Sequence, residues 1–173
     1  MNRTLRTKAQ PMPKATFNRA FIILFSLTLF LLAGCSNPEA RRAELMKDAR
    51  ALHETGQTEE ALALLDSLNS EFPGDPVLLA LAGEFYLDSG EAVTAAFYLE
   101  QAYQLDPDNI ALLFQTYRAQ EAAGQPAAES LEMLAEQAPN VMTPELWIRL
   151  GEYRAEARQT QAALDAYLRL HLL

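Results

Sequence analysis

One thiol, two imidazoles and scattered carboxylates are what this 173-residue chain offers to chemistry. Cys35 is the only cysteine, so the chain forms no internal disulfide and has no second thiol for redox chemistry. His53 and His171 are far apart, and neither has a second His or Cys at ligand spacing, which argues against a metal site. Glu59–Glu60 and Asp106–Asp108 are paired carboxylates, but they fall at a helix start and in a loop, where acids complement the helix dipole or cap the helix. There is no glycine-rich phosphate loop, and the Ser and Thr residues stand without a histidine in any recognisable order. These observations predict a protein that is not an enzyme and needs no cofactor, with Cys35 as its one candidate for covalent modification.

The elements that surround these groups are periodic. Gly56, Gly90 and Gly124 stand 34 residues apart, and Pro73 and Pro107 repeat the interval. A period of this length is that of a helix–turn–helix unit stacking on copies of itself. In this register the chain divides into units 42–75, 76–109, 110–143 and 144–173. In the second unit Leu79, Ala82, Gly83 and Tyr86 fall on one face of a first helix, and Ala95, Leu99 and Ala102 on one face of a second, with Gly90 at the turn. Gly83 and Ala95 let two backbones approach so that the larger side chains interdigitate. Asp75–Pro76 and Thr143–Pro144 place a capping side chain before a proline suited to the first helical position.

These columns resemble the tetratricopeptide repeat family over about residues 42–173. The large residue opening the first helix is Leu45, Leu79, Leu113 and Trp147, and its small residue is Ala49, Gly83, Tyr117 and Gly151. In the second helix the small position is Ala61, Ala95, Glu129 and Ala163, followed by Leu65, Leu99, Met133 and Tyr167. Unit three departs from the pattern: Tyr117 and Glu129 occupy small positions and Pro139 comes two residues early, so a second helix starting near Pro126 is expected to be short or shifted. The resemblance implies an all-α, right-handed solenoid of about four helix–turn–helix repeats.

The amino terminus carries a separate message. Arg3, Arg6, Lys8, Lys14 and Arg19 precede an uncharged apolar stretch, residues 21–32, which is followed by Ala33-Gly34-Cys35. The stretch is short of the roughly 20 residues that span a bilayer as a helix, and it reads as a signal peptide. Leu32-Ala33-Gly34-Cys35 resembles the lipobox of bacterial lipoproteins. The resemblance implies cleavage after residue 34, a covalent lipid on Cys35, and a short tether, 35–41, before the array. More than one acyl chain makes membrane attachment stable. Ser36 after the cysteine, in place of aspartate, resembles lipoproteins passed to the outer membrane, so the expected place is the bacterial cell envelope, anchored in the outer membrane and facing the periplasm.

Removing residues 1–34 removes five basic residues and no acid, leaving nine basic against 23 acidic residues, a net of −14. Between Ala51 and Tyr117 twelve acids stand without one Lys or Arg. Nucleic acid is disfavoured as a partner, because phosphates need a basic footprint. An acidic face suits a basic partner segment or simple solvation.

In tetratricopeptide arrays the first helices line a concave groove. That resemblance assigns to the groove Met46, Arg50 and His53 in unit one and Ala80, Glu84, Leu87 and Asp88 in unit two. In unit three it assigns Phe114, Arg118 and Glu121, and in unit four Ile148, Glu152 and Glu156. The set lacks the lysine and asparagine residues by which chaperone-binding members hold a terminal carboxylate. An envelope protein or peptide segment with spaced apolar anchors and some basic residues fits it. The last helix, expected over about Thr160 to Leu173, ends in Leu170-His171-Leu172-Leu173 without a polar capping helix, which allows a homo-oligomer through that end. The implied function is a membrane-anchored adaptor in envelope assembly, serving pilus, secretion or outer-membrane protein machinery. The alternative is a self-associating envelope spacer.

Overall fold

The computed structural model describes residues 37–170; Cys35, the apolar stretch 21–32 and His171 to Leu173 lie outside the described residues. Eight α-helices follow one another in four antiparallel pairs, with no strand among the described residues. They are α1 Pro38–Glu54 and α2 Thr58–Glu71, α3 Pro76–Asp88 and α4 Ala92–Leu105, α5 Ile110–Ala123 and α6 Ala128–Gln137, and α7 Pro144–Glu156 and α8 Thr160–Arg169. A 3-10 turn at Pro139–Val141 joins α6 to α7. Residues from Arg42 onward form one compact unit. Residues 38–41, expected to be tether, are instead the opening turn of α1, where Asn37 Oδ1 accepts from Glu39 N at 3.1 Å.

First and second helices begin differently. Asp75 caps α3 by accepting from Val77 N at 2.9 Å and Leu78 N at 3.4 Å, Asn109 caps α5 through Leu112 N at 3.3 Å, and Thr143 caps α7 through Leu146 N at 3.4 Å. The second helices have no side-chain cap, and α2, α4 and α8 each begin two residues after the residue at the turn. In that turn Gly56, Gly90 and Gly124 adopt φ of 81°, 82° and 65°, and the following N–H bonds back to the carbonyl five residues earlier, as in Gln57 N to Leu52 O at 2.9 Å. The fourth turn falls in the same register but holds Arg158, at φ 60°, with Gln159 N bonding Arg154 O at 2.8 Å. An arginine here keeps the hydrogen bonds at the cost of left-handed strain.

Within each pair the small column sets how closely the helices meet. A Cβ on Gly83 would lie 2.6 Å from Leu99 Cγ, and one on Gly151 would lie 2.4 Å from the Tyr167 ring. Ala49 serves the same column in unit one and is fully buried. In unit three Tyr117 takes the place, is buried to 5% exposure, and belongs to the same buried cluster as Ala127 and Leu131.

Unit three solves that problem by a change of phase. In the other units the second-helix column begins five residues after the turn residue, at Ala61, Ala95 and Ala163, all buried. In unit three it begins three residues after Gly124, at Ala127, and continues with Leu131 and Leu134, all at 0% exposure. Glu129 is exposed and Met133 half-buried, so the expected inward positions are corrected to residues two earlier. The helix itself starts at Ala128, later than Pro126, and runs only 10 residues. The turn Pro139–Val141 then restores the missing length before α7.

Burial is continuous along the array. Met46, Leu65, Leu68, Leu78 and Phe85 fill the first pair of units, Leu99, Ala102 and Leu112 carry the core across the middle, and Leu113, Leu131, Leu134, Trp147 and Leu150 fill the last two. No single hairpin encloses this area, and stacking supplies what each unit lacks.

Candidate partner-binding groove

The first helices α1, α3 and α5 meet in series, and an open cavity of about 380 Å³ lies along them. Its floor is apolar: Leu81, Phe85 and Leu87 from α3, with Leu99 from α4 behind. Its rim is polar, with Arg50, His53 and Glu54 from α1, Glu84 and Asp88 from α3, and Gln115 and Arg118 from α5. Of the residues assigned to the groove from sequence, six share this cavity: Arg50, His53, Glu84, Leu87, Asp88 and Arg118.

His53 holds the α1–α3 junction. Its ring stacks on Phe85 with centroids 4.0 Å apart and planes 13° from parallel. One ring nitrogen lies 3.0 Å from Thr58 Oγ1 and the other 3.1 Å from Asp88 Oδ2, so the ring is fixed on both edges as well as on its face. At the α3–α5 junction Gln115 Nε2 donates to Glu84 Oε1.

The remaining assigned residues lie elsewhere. Met46 is corrected from groove to core: it is 7% exposed and packs with Leu65, Leu68 and Leu78. Its column straddles the boundary between the two, and a long flexible thioether folds onto the core where Ala80 cannot. Ala80 is half-buried beside Leu79, Ala102 and Leu112. Phe114 is half-buried against the core of the last two units, with its ring 6.4 Å from that of Tyr117. Ile148 remains exposed at 42%.

Glu121 and Glu152 are engaged within the chain. Glu121 accepts from Arg149 Nε at 3.0 Å, from Arg149 Nη2 at 3.3 Å and from the Tyr153 hydroxyl, and Glu152 accepts from Arg149 Nη1 at 3.0 Å. The Arg149 guanidinium also lies 4.6 Å from the Tyr153 ring centre. Burial alone would raise the Glu121 carboxyl, but the hydrogen bonds from Tyr153 and Arg149 outweigh it and hold it below the usual carboxylate range. Burial first, and then Glu121, by its charge at Tyr117 and by its hydrogen bond at Tyr153, push both tyrosines up to about 12. Hydrogen bonds donated to Glu121 and Glu152 raise Arg149 further above its already high value. This cluster ties α5 to α7.

Glu54, Leu81, Phe85, Leu99 and Gln115 line the cavity without having been assigned to the groove from sequence, Leu99 having been read as a packing residue. A signal for one of them was available. His53 meets Phe85 at a separation of 32 residues, and Glu121 meets Tyr153 at the same separation, which is the step by which one first helix touches the next. Among the described residues no group of three His, Cys, Asp or Glu side chains could hold a metal ion, and no helix is long and apolar enough to cross a membrane.

The fold is a tetratricopeptide-type solenoid, all-α and built from stacked helical hairpins. Solved structures of MamA share it. One structure of MamA AMB-1 is 16% identical and covers 90% of this chain and 85% of its own, with a TM-score of 0.64. A second MamA AMB-1 structure is 17% identical, covers 90% and 92%, and scores 0.61. MamA 41-end from Desulfovibrio magneticus RS-1 is 16% identical, covers 92% and 97%, and scores 0.60. At these identities the likeness is one of fold. No family model matches the sequence, and no curated protein matches it.

Proposed function

We propose that this protein is a lipid-anchored adaptor of the bacterial cell envelope that holds a segment of another protein in the groove along α1, α3 and α5. The observation that carries the reading is the cavity itself: three consecutive first helices contribute to one apolar-floored, polar-rimmed channel in a fold that stacking keeps preformed. The Leu32-Ala33-Gly34-Cys35 sequence supports acylation of Cys35, which would localise the array at the membrane, and Ser36 favours the outer membrane with the groove in the periplasm. Envelope assembly, whether of a pilus, a secretion system or outer-membrane proteins, is the work such an adaptor would serve.

The test is crosslinking in native membranes with the full chain and a Leu87→Asp variant. Leu87 and Phe114 are both half-buried and both pack on core residues, but only Leu87 lines the cavity, so unchanged helicity in Leu87→Asp is part of the test. Capture of one envelope protein by the parent and its loss in Leu87→Asp, with helicity unchanged, is the expected result. Capture unaffected by Leu87→Asp would remove the groove from the reading. Mass spectrometry of the membrane fraction checks the anchor: Cys35→Ala is expected to abolish the acyl mass and release the chain from membranes.

A second reading, a self-associating spacer, rests on α8. Leu164 and Leu168 are 49% and 51% exposed one turn apart, on the last helix among the described residues. Sedimentation of the intact chain against Leu168→Asp distinguishes it, since a spacer would lose mass with that change and an adaptor would not.

A further inference from the structure

The acids of the concave face suggest a basic partner when they are counted, yet their contacts suggest the reverse. Asp88 faces His53 at 3.1 Å, Glu84 accepts from Gln115, and Glu121 and Glu152 are both held by Arg149. Each of these carboxylates already accepts a bond within the chain, from a neutral amide at Glu84 and from a guanidinium at Glu121 and Glu152, while keeping further lone pairs open to solvent. Arg50 and Arg118 are different. Both are exposed, both line the cavity, and among the described residues neither has a hydrogen bond or ion pair. Glu54, at the end of α1, is the cavity's one carboxylate with no hydrogen bond, against two uncommitted guanidiniums.

The two arginines are placed regularly. Residues 50, 84, 118 and 152 form one column of the repeat, reading Arg, Glu, Arg, Glu, and both glutamates in it are already bonded. Arg50 and Arg118 therefore stand two repeats apart on opposite sides of the apolar floor. Neighbouring helices pack about 10 Å apart, so the two guanidiniums are roughly 20 Å apart. An extended chain rises about 3.3 Å per residue and covers that distance in about six residues.

We infer that the groove selects an extended segment that is apolar at its centre and carries two carboxylates about six residues apart, one for Arg50 and one for Arg118. This rests on the groove reading and adds to it the charge and spacing of the occupant, in place of the basic segment that the composition suggested. Guanidiniums hold carboxylates in forked, charge-assisted pairs, and the apolar side chains between would sit on Leu81, Phe85 and Leu87. The chain's net negative charge opposes a distant acidic segment. That long-range term is screened beyond about 8 Å at physiological salt, and the two local pairs are not.

The experiment is selection of a phage-displayed random 12-residue peptide library on the full chain, with enriched peptides then measured by fluorescence anisotropy. The expected result is enrichment of sequences with Asp or Glu about six positions apart around an apolar centre. Their binding should weaken about tenfold or more in Arg50→Ala and in Arg118→Ala, and Arg118→Glu should recover binding to a peptide with Lys at one acidic position. Circular dichroism of each variant should match the parent. Enriched peptides that are basic or uncharged, and that lose binding in Leu87→Asp, would overturn the inference and leave the groove reading standing. Enrichment of no peptide sensitive to Leu87→Asp would overturn both.

Discussion

The two ends of the concave face are built from the same repeat and solve the same junction differently. Between α1 and α3 a ring stacks on a ring, His53 on Phe85, above an apolar floor, and the space beside them stays open. Between α5 and α7 the matching step brings Glu121 to Tyr153, and Arg149 completes a polar cluster that braces the two helices. One column of a repeat can thus make either a place for a ligand or a brace, and the side chains at a single inter-repeat step decide which. Acidity alone does not mark a binding surface here, because most of the groove's acids are bonded to their own chain.

The comparison can be broken at either end. Phe85→Ala is expected to have the largest effect, a loss of about 3–4 kcal/mol in urea unfolding, because the ring is 3% exposed and serves both core and cavity floor. The loss should be nearly independent of salt, as befits apolar packing. Glu121→Ala should cost about 1–2 kcal/mol, since it leaves the Tyr153 hydroxyl without its acceptor and the partly exposed Arg149 with Glu152 alone. That loss should shrink at high salt and leave peptide binding at Arg50 and Arg118 unchanged. Equal salt dependence for the two variants would erase the distinction between the ends.

The braced end should also report itself through pH. Tyr117 and Tyr153 are raised from 10.0 to about 12, so the neutral phenols are favoured in the folded state. Their contribution is fully present below pH 10 and is lost as pH rises through about 12. Glu121 is shifted the other way, so its contribution is present above the usual carboxylate range and is lost as pH falls through its depressed value. Absorbance titration should find two of the six tyrosines ionising near pH 12, and both should titrate earlier in Glu121→Gln. The smallest change expected is a gain. Arg158→Gly should stabilise the array by about 1 kcal/mol by relieving the left-handed strain at a turn where the other units have glycine. A loss there would mean that the Arg158 side chain contributes more than the turn requires.

Much of the fold was legible in the sequence because a solenoid writes its contacts at a fixed interval. The first-helix column Leu79, Leu113 and Trp147 is buried, and the Asp–Pro and Thr–Pro pairs cap α3 and α7. Unit three was legible only as a disturbance: Pro139 gave the size of the shift, but which residues would turn inward depended on how the turn after Gly124 closed. The groove was read from position on a helix, which placed Arg50, His53 and Leu87 at one cavity. Position does not say how far a side chain reaches, and so Met46 went to the core. Nor does it say what a side chain already holds, and so Glu121 and Glu152 became braces.

The two-residue deficit after Gly124 and the turn at Pro139–Val141 that restores it act like a pair of opposite dislocations in a one-dimensional lattice. Their phases cancel within one cell, so α7 starts at Pro144 in the same 34-residue register as α3 at Pro76 and α5 at Ile110. Changes in length are therefore tolerable inside a unit when they come in compensating pairs. A lone insertion of two residues after Gly124 would put α7 out of step with α5 and separate Arg149 from Glu121.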